Sequence, residues 1–262
     1  MLKRSGFTLI ELLITLMVGS IIAVISVRFI ASSGQSLLDS GARQQLAATA
    51  AVINEQISRR LRQALPGSIR TTSDSLCIEF MPLLSASVYR DLDIGAALSS
   101  FTAIPLSVSE SFSGYMSVYP IHGNLYNPGT TGPLTQTTAT LPSGSSVVTV
   151  SLSQAHRFPT GSPVKRLYIS AAPQTICQDG SWLYLYHGYG FVNSSAQLAA
   201  ALPADYASGR EVLAAALEPG SLQFRYIPPT LKRNGLVAFS FTLKADGDQL
   251  ASAQEVQIHN VP

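Results

Sequence analysis

Apolar residues run almost unbroken from Phe7 to Val27, and Glu11 is the one charge among them. At 1.5 Å per residue, about 20 such residues span about 30 Å, the thickness of a bilayer's hydrocarbon core. The pattern therefore predicts a helix removed from water along its whole length. Beyond it the period changes. Ser32, Ser33 and Gly34 weaken the helix locally, and Gly41 does so again. Leu46, Ala50, Ile53, Ile57, Leu61 and Ala64 then recur at spacings of three and four, one apolar stripe on an amphipathic helix. Pro66 and Gly67 stop it. The reading is a single helix from about Phe7 to Leu65, with residues 7–31 sequestered and 32–65 packed on a globular domain.

From residue 66 to 262 the pattern is that of strands. Candidates are Ser75 to Phe80, Tyr115 to Ile121, Ser146 to Leu152, Val164 to Ser170 and Trp182 to Gly188, all rich in β-branched or aromatic residues. The stretch around 122–146 is loaded with Gly, Pro, Thr, Asn and Ser and reads as a long irregular insertion. Ala196 to Leu202 reads as a short helix. At the end, Leu222 to Ile227, Leu236 to Lys244 and Gln254 to His259 read as three strands. Pro228-Pro229, Asn234-Gly235 and Asp246-Gly247 supply their turns, which predicts an antiparallel meander. The fold class expected is α+β, a long amino-terminal helix on an antiparallel β-sheet domain.

Charged residues make up only 12% of the 262-residue chain and hydrophobic ones 46%, which excludes a disordered protein. The formal charge is +2. Removing Lys3 and Arg4 brings the 17 basic residues to 15, equal to the 15 acidic ones, so no global field draws the protein to nucleic acid. The two cysteines, Cys77 and Cys177, are buried small hydrophobes in a reducing compartment and one disulfide in an oxidising one. Closing a loop of about 100 residues would stabilise the fold by roughly 4.7 kcal/mol in the chain-entropy model.

The compartment follows from the amino terminus. Lys3 and Arg4 precede the apolar run, so the positive-inside bias keeps the amino end cytoplasmic and carries the rest across. A secretory signal has an apolar core of about 7–15 residues and no carboxylate, so it fits poorly even though Ala31-Ser32-Ser33 offers a small-residue cut site. Glu11 is the informative position. An intramembrane carboxylate costs about 2.5–3.5 kcal/mol and needs a partner, unless it sits at the edge of the span and reaches the headgroups.

Gly6-Phe7-Thr8-Leu9-Ile10-Glu11-Leu12-Leu13 resembles the processing signature of type IV prepilins and type II secretion pseudopilins. That pattern is a short basic leader ending in Gly, a hydrophobic residue, and Glu at the fifth place after the cut. The resemblance covers about the first 25 residues. It implies removal of leader residues 1–6 by a membrane prepilin peptidase between Gly6 and Phe7, N-methylation of Phe7, and an apolar helix retained in the mature protein. It also implies that Glu11 pairs with the amino terminus of a neighbouring subunit, each charge lowering the other's burial cost. The partners so implied are other pilins through the helix, the peptidase and methyltransferase, and an inner-membrane assembly platform. Many such proteins carry Pro where this chain has Arg28, which instead ends the apolar run with a charge that can snorkel. Gly19 and Ser20 are small enough for close helix approach, or are merely tolerated. The closing run from Ser252 to Pro262 looks like the ends of larger minor pilins, particularly the mannose-sensitive haemagglutinin (MSHA) pilus biogenesis group.

Cofactor and metal motifs are lacking. His122, His156, His187 and His259 are scattered, and there is no P-loop, GxGxxG or GxSxG. Gly188-Tyr189-Gly190 suits a turn. Asp91 with Asp93, and Asp246 with Asp248, lack the ligand set of a Ca²⁺ loop. Trp182, Tyr184 and Tyr186 share one strand face and read as core in preference to a sugar platform. Arg43, Arg59, Arg60, Arg62 and Arg70 face only Glu55, which reads as a solvated helix face in preference to a DNA-binding one, since no aromatic platform interleaves with them. The expectation is a minor pilin that helps start or prime filament assembly, and no enzyme. A type II secretion minor pseudopilin and a filament-displayed adhesin or DNA-uptake subunit are the other readings.

Overall fold

The computed structural model describes residues 8–121, 123–229, 233–245 and 247–258, without the side chains of 36–39. Helix α1 (Leu9–Arg62) is one element of 54 residues. Gly34 and Gly41 lie inside it without interrupting it. Each costs about 1 kcal/mol relative to alanine, too little to break a helix already nucleated on both sides. Gly67 turns the chain away with φ +78°, and a Cβ there would stand 2.9 Å from the Pro120 carbonyl oxygen, which only glycine avoids.

The carboxyl half of α1 is held by the stripe the pattern predicted. Ile53, Ile57 and Leu61 are 0% exposed, and Leu46, Ala50 and Ala64 are buried with them. Two sheets close over this stripe. The first is ordered β1 (Arg70–Thr71), β2 (Cys77–Phe80), β9 (Gln174–Asp179), β10 (Trp182–Tyr186) and β11 (Arg210–Ala214). The second is the meander β12 (Gln223–Ile227), β13 (Gly235–Ala245) and β14 (Asp248–Ile258). Ile78, Phe80, Ile176, Leu183 and Leu185 from the first and Phe224, Phe239, Phe241 and Val256 from the second share one core with α1. The Phe224 amide donates to the Ser75 carbonyl at 2.8 Å, joining the sheets side by side. Replacing Ile53 by alanine is expected to cost about 2–5 kcal/mol, read from denaturant melts, because this wall of the core cannot collapse around the void.

A second core lies between a four-stranded sheet, ordered β3 (Leu83–Val88), β8 (Arg166–Ser170), β5 (Phe112–Ser117) and β6 (Leu134–Leu141), and a two-stranded one, β4 (Leu98–Ala103) with β7 (Val148–His156). Phe101, Met116, Leu141, Phe158 and Ile169 fill it. All pairings between named strands are antiparallel.

Several boundaries differ from the expected ones. The strand read over Tyr115 to Ile121 is β5, which begins at Phe112 and ends at Ser117. The segment around 122–146, read as irregular insertion, contains β6, whose Leu134, Ala139 and Leu141 are buried. Its Thr-rich composition hid the alternation, since Thr suits a half-exposed strand as well as a loop. Leu125 and Tyr126 of the same segment are buried too. Strands β3, β4 and β9 carry Ser, Thr, Gln or Ala at many positions and gave no clear period, and the five residues of β11 are too few to show one. Near Ala196 to Leu202 stand a 3₁₀ turn, Ser195–Gln197, and one short helical turn, α2 (Leu198–Ala201), with Leu198 buried.

Candidate functional site

From Leu9 to Ile30 every large apolar side chain of α1 is about half exposed or more, from Val18 at 49% to Leu9 at 81%. The segment is long and apolar enough to cross a membrane. Nothing within the described residues covers it. Thr8 caps the helix: its carbonyl accepts from the Glu11 and Leu12 amides at 3.1 and 3.2 Å, and its Oγ1 accepts from the Glu11 amide at 3.4 Å. Glu11 therefore occupies the third helical position, where its charge complements the helix dipole. The Thr8-x-x-Glu11 spacing is that of a capping box, a signal present in the sequence that the hydropathy reading passed over. Lys3, Arg4, Gly6 and Phe7 lie outside the described residues. Arg28 is exposed, on the same continuous helix.

The outer face of the five-stranded sheet holds the densest chemistry. Cys77 and Cys177 are direct cross-strand partners on β2 and β9 and are joined as a disulfide, with Cα atoms 4.4 Å apart. Tyr186, Tyr184, Tyr189 and Leu202 cover it. One row along, Glu79 is 0% exposed, with Oε2 held by Arg70 Nε at 2.5 Å and Oε1 accepting from the Tyr189 hydroxyl at 2.9 Å. Arg70 also donates to the carbonyls of Asn193, at 2.8 Å, and Val192, and its guanidinium lies 3.5 Å over the Tyr126 ring. Burial pushes the Glu79 carboxyl above its ordinary value, while the Arg70 bond and charge and the Tyr189 bond pull it back. Burial and then the Glu79 charge drive the Tyr126 and Tyr189 hydroxyls far above theirs. The arrangement is a satisfied ion pair that ties β1 and β2 to the 187–193 segment, and it presents no free nucleophile or base.

Arg70 thus corrects the expectation of a solvated arginine face. Its partner Glu79 is far along the chain and invisible to a count of local charges. Arg43 also has a partner, Asp248 at 3.6 Å, while Arg59 and Arg62 stand exposed. Arg60 bonds the Gln56 side chain. Its guanidinium titrates below its ordinary value through burial and the neighbouring Arg59, offset by Glu211.

The aromatic strand face, read as core, is so at Tyr186 and partly at Tyr184, and is not at Trp182. Leu183 and Leu185 point into the core, so Trp182, Tyr184 and Tyr186 face outward. Tyr186 is buried under the covering segment, but Trp182 is 46% exposed. Arg210 stacks 3.7 Å over the Tyr184 ring and bonds Asp179 at 2.7 Å. Gly188 and Gly190 both have positive φ, as the turn reading expects.

His156 is buried, its Nε2 at 2.9 Å from the Gly132 carbonyl, and burial lowers its titration despite that bond. His187 meets Glu211 at 3.1 Å. His122, His259 and Asp246 lie outside the described residues. Among the described residues no three His, Cys, Asp or Glu side chains gather as a metal would require. Asp91 and Asp93 stay exposed in a loop.

Residues 1–27 match the model of the prokaryotic N-terminal methylation motif. The match supports a type IV prepilin or pseudopilin, a class of structural subunits, and the long helix followed by antiparallel sheets is the arrangement typical of type IV pilins. Neither a curated protein nor a solved structure matches the chain.

Proposed function

We propose that this chain is a minor type IV pilin, a structural subunit that helps start or prime a bacterial surface pilus of the MSHA type. A prepilin peptidase cuts between Gly6 and Phe7, and Phe7 is N-methylated. The helix then holds the protein in the inner membrane, amino end cytoplasmic and β-rich domain periplasmic. At the assembly platform it leaves the bilayer for a bundle of like helices, where Glu11 takes the amine of a neighbouring subunit.

The observation that carries this reading is the bare apolar length of α1 from Leu9 to Ile30. Each such side chain gains roughly 1.5–3 kcal/mol on burial, so the segment as a whole demands a bilayer or a bundle by tens of kcal/mol. A signal sequence would meet the same demand and then be lost. A carboxylate at Glu11 has no use in that role. The minor assignment rests on size, because 262 residues are a large unit to stack thousands of times. The MSHA assignment rests on the closing run alone.

Mass spectrometry of the native protein is expected to find a mature chain starting at Phe7 and carrying one added methyl group. Met1 to Gly6 still attached, or a start beyond Ser33, overturns the reading. Loss of filaments on deletion marks an assembly role. Normal filaments with lost adhesion mark a displayed binder, and normal filaments with lost secretion mark a pseudopilin.

A further inference from the structure

The Cys77–Cys177 disulfide lies partly under a separate piece of chain. Between β10 and β11 the backbone leaves the sheet at His187 and returns at Gly209, where the His187 amide donates to the Gly209 carbonyl at 2.9 Å. That neck admits only glycine, because a Cβ on Gly209 would stand 2.2 Å from the His187 carbonyl oxygen. Of residues 188–208 only Leu198 is buried. Tyr189 and Leu202 from this excursion pack on the disulfide. Tyr184 and Tyr186, which complete its cover, are fixed in β10.

The excursion is fastened at a few points, and the chief one stands beside the cysteines. Cys77 pairs with Cys177, and two residues along the same face Glu79 pairs with Thr175. The Tyr189 hydroxyl bridges that second pair: it donates to Glu79 Oε1 at 2.9 Å and lies 2.6 Å from Thr175 Oγ1. Gly188 and Gly190, both at positive φ, flank Tyr189. Further along, Arg70 holds the Val192 and Asn193 carbonyls, and Asn124 Nδ2 donates to Asn193 Oδ1 at 2.6 Å. Phe191 meets the Tyr115 ring edge-on. A unit with one buried side chain and a handful of polar bonds belongs to the low end of local stability, below the strands it rests on. It can lift while β2 and β9 stay paired.

We propose that residues 188–208 are a hinged cover that decides when a dithiol reaches the Cys77–Cys177 disulfide, making the pair a site of reversible reduction within a folded domain. Closed, the cover keeps Tyr189 over the sulfurs and a thiolate has no line of approach. Opened at the Tyr189 latch, it lets one thiolate of the dithiol attack a cystine sulfur. A mixed disulfide forms and the other cysteine leaves as thiolate. The second thiol of the reagent then displaces the bound cysteine, so the protein ends with two thiols and the dithiol is oxidised. The inference does not depend on the chain joining a filament.

The test uses the full chain in detergent micelles with dithiothreitol as the probe. Released thiols are read by a gel shift with a polyethylene-glycol maleimide, and the chain has no cysteine besides these two. Wild type is expected to be reduced about a hundredfold more slowly than the urea-unfolded chain, at a rate that low urea leaves unchanged, since local opening exposes little surface. Tyr189→Phe is expected to be reduced about tenfold faster than wild type, because the closed form then leaves Glu79 Oε1 without its donor. Ile57→Val thins a core that includes no residue of the cover, so it is expected to lower the urea midpoint and leave the reduction rate unchanged. Asn193→Ala, which loses only the bond from Asn124, is expected to be about threefold faster and keeps the test decisive should Tyr189→Phe not fold. A wild-type rate that climbs with urea as unfolding does, or an Ile57→Val acceleration equal to that of the cover variants, means that reduction needs global unfolding and overturns the proposal. So does a wild type reduced as fast as the unfolded chain, or cover variants reduced no faster than wild type.

Discussion

Glu11→Ala is expected to enter the bacterial membrane as well as the wild type, or better, yet to be recovered from sheared filaments at about one hundredth of the wild-type level or less. Insertion improves because a carboxylate in an apolar span costs about 2.5–3.5 kcal/mol and alanine removes that cost. Assembly fails because an uncompensated ammonium is left in the bundle. Breaking a buried pair costs about 3–5 kcal/mol, and each 1.4 kcal/mol is a factor of ten. Glu11→Gln separates charge from shape, since it keeps the side chain's length and loses the ion pair. Immunoblots of membrane and filament fractions read both quantities. Filament levels equal to wild type in Glu11→Ala would sink the pairing role.

Arg70→Met is expected to destabilise the β-rich domain by about 3–5 kcal/mol at neutral pH, because it strands the buried Glu79 carboxylate. The loss should shrink in acid. Burial already sets the Glu79 carboxyl above its ordinary value, so the folded state prefers the protonated acid. That contribution to stability is full below the ordinary glutamate value and fades as pH rises through the raised one. Without Arg70 the raised value climbs further, so the penalty grows as pH rises above the wild-type value and levels off above the climbed one. The double variant Arg70→Met, Glu79→Leu is expected to recover most of the stability, since a well-packed apolar pair replaces a buried ion pair at little cost. Denaturant melts of the three proteins at acid and neutral pH decide this. An Arg70→Met loss that is equal at both, or that grows in acid, contradicts the account.

Local patterns were legible where one residue type had one physical use. The helix stripe from Leu46 to Ala64 could face only a core, and the run from Phe7 to Val27 could face only lipid or other helices. The final meander was legible because turn residues separated alternating strands. β6 was not, because Thr and Ser serve a strand and a loop equally well. Arg70 and Trp182 were misjudged because their settings depend on partners distant in the chain. Arg70 found Glu79 and the carbonyls of Val192 and Asn193. Trp182 was turned outward when Leu183 and Leu185 claimed the core side of β10.

The sequence by itself determined a sequestered amino-terminal helix with one acid near its start, an amphipathic continuation and a β-rich remainder. These follow from hydropathy, period and charge, which are properties of neighbouring residues. Only the tertiary structure decided which strands adjoin and that a buried carboxylate meets an arginine beside the disulfide. Those outcomes depend on contacts between distant segments, whose closure is governed by the packing of the whole domain and leaves no mark at any single position.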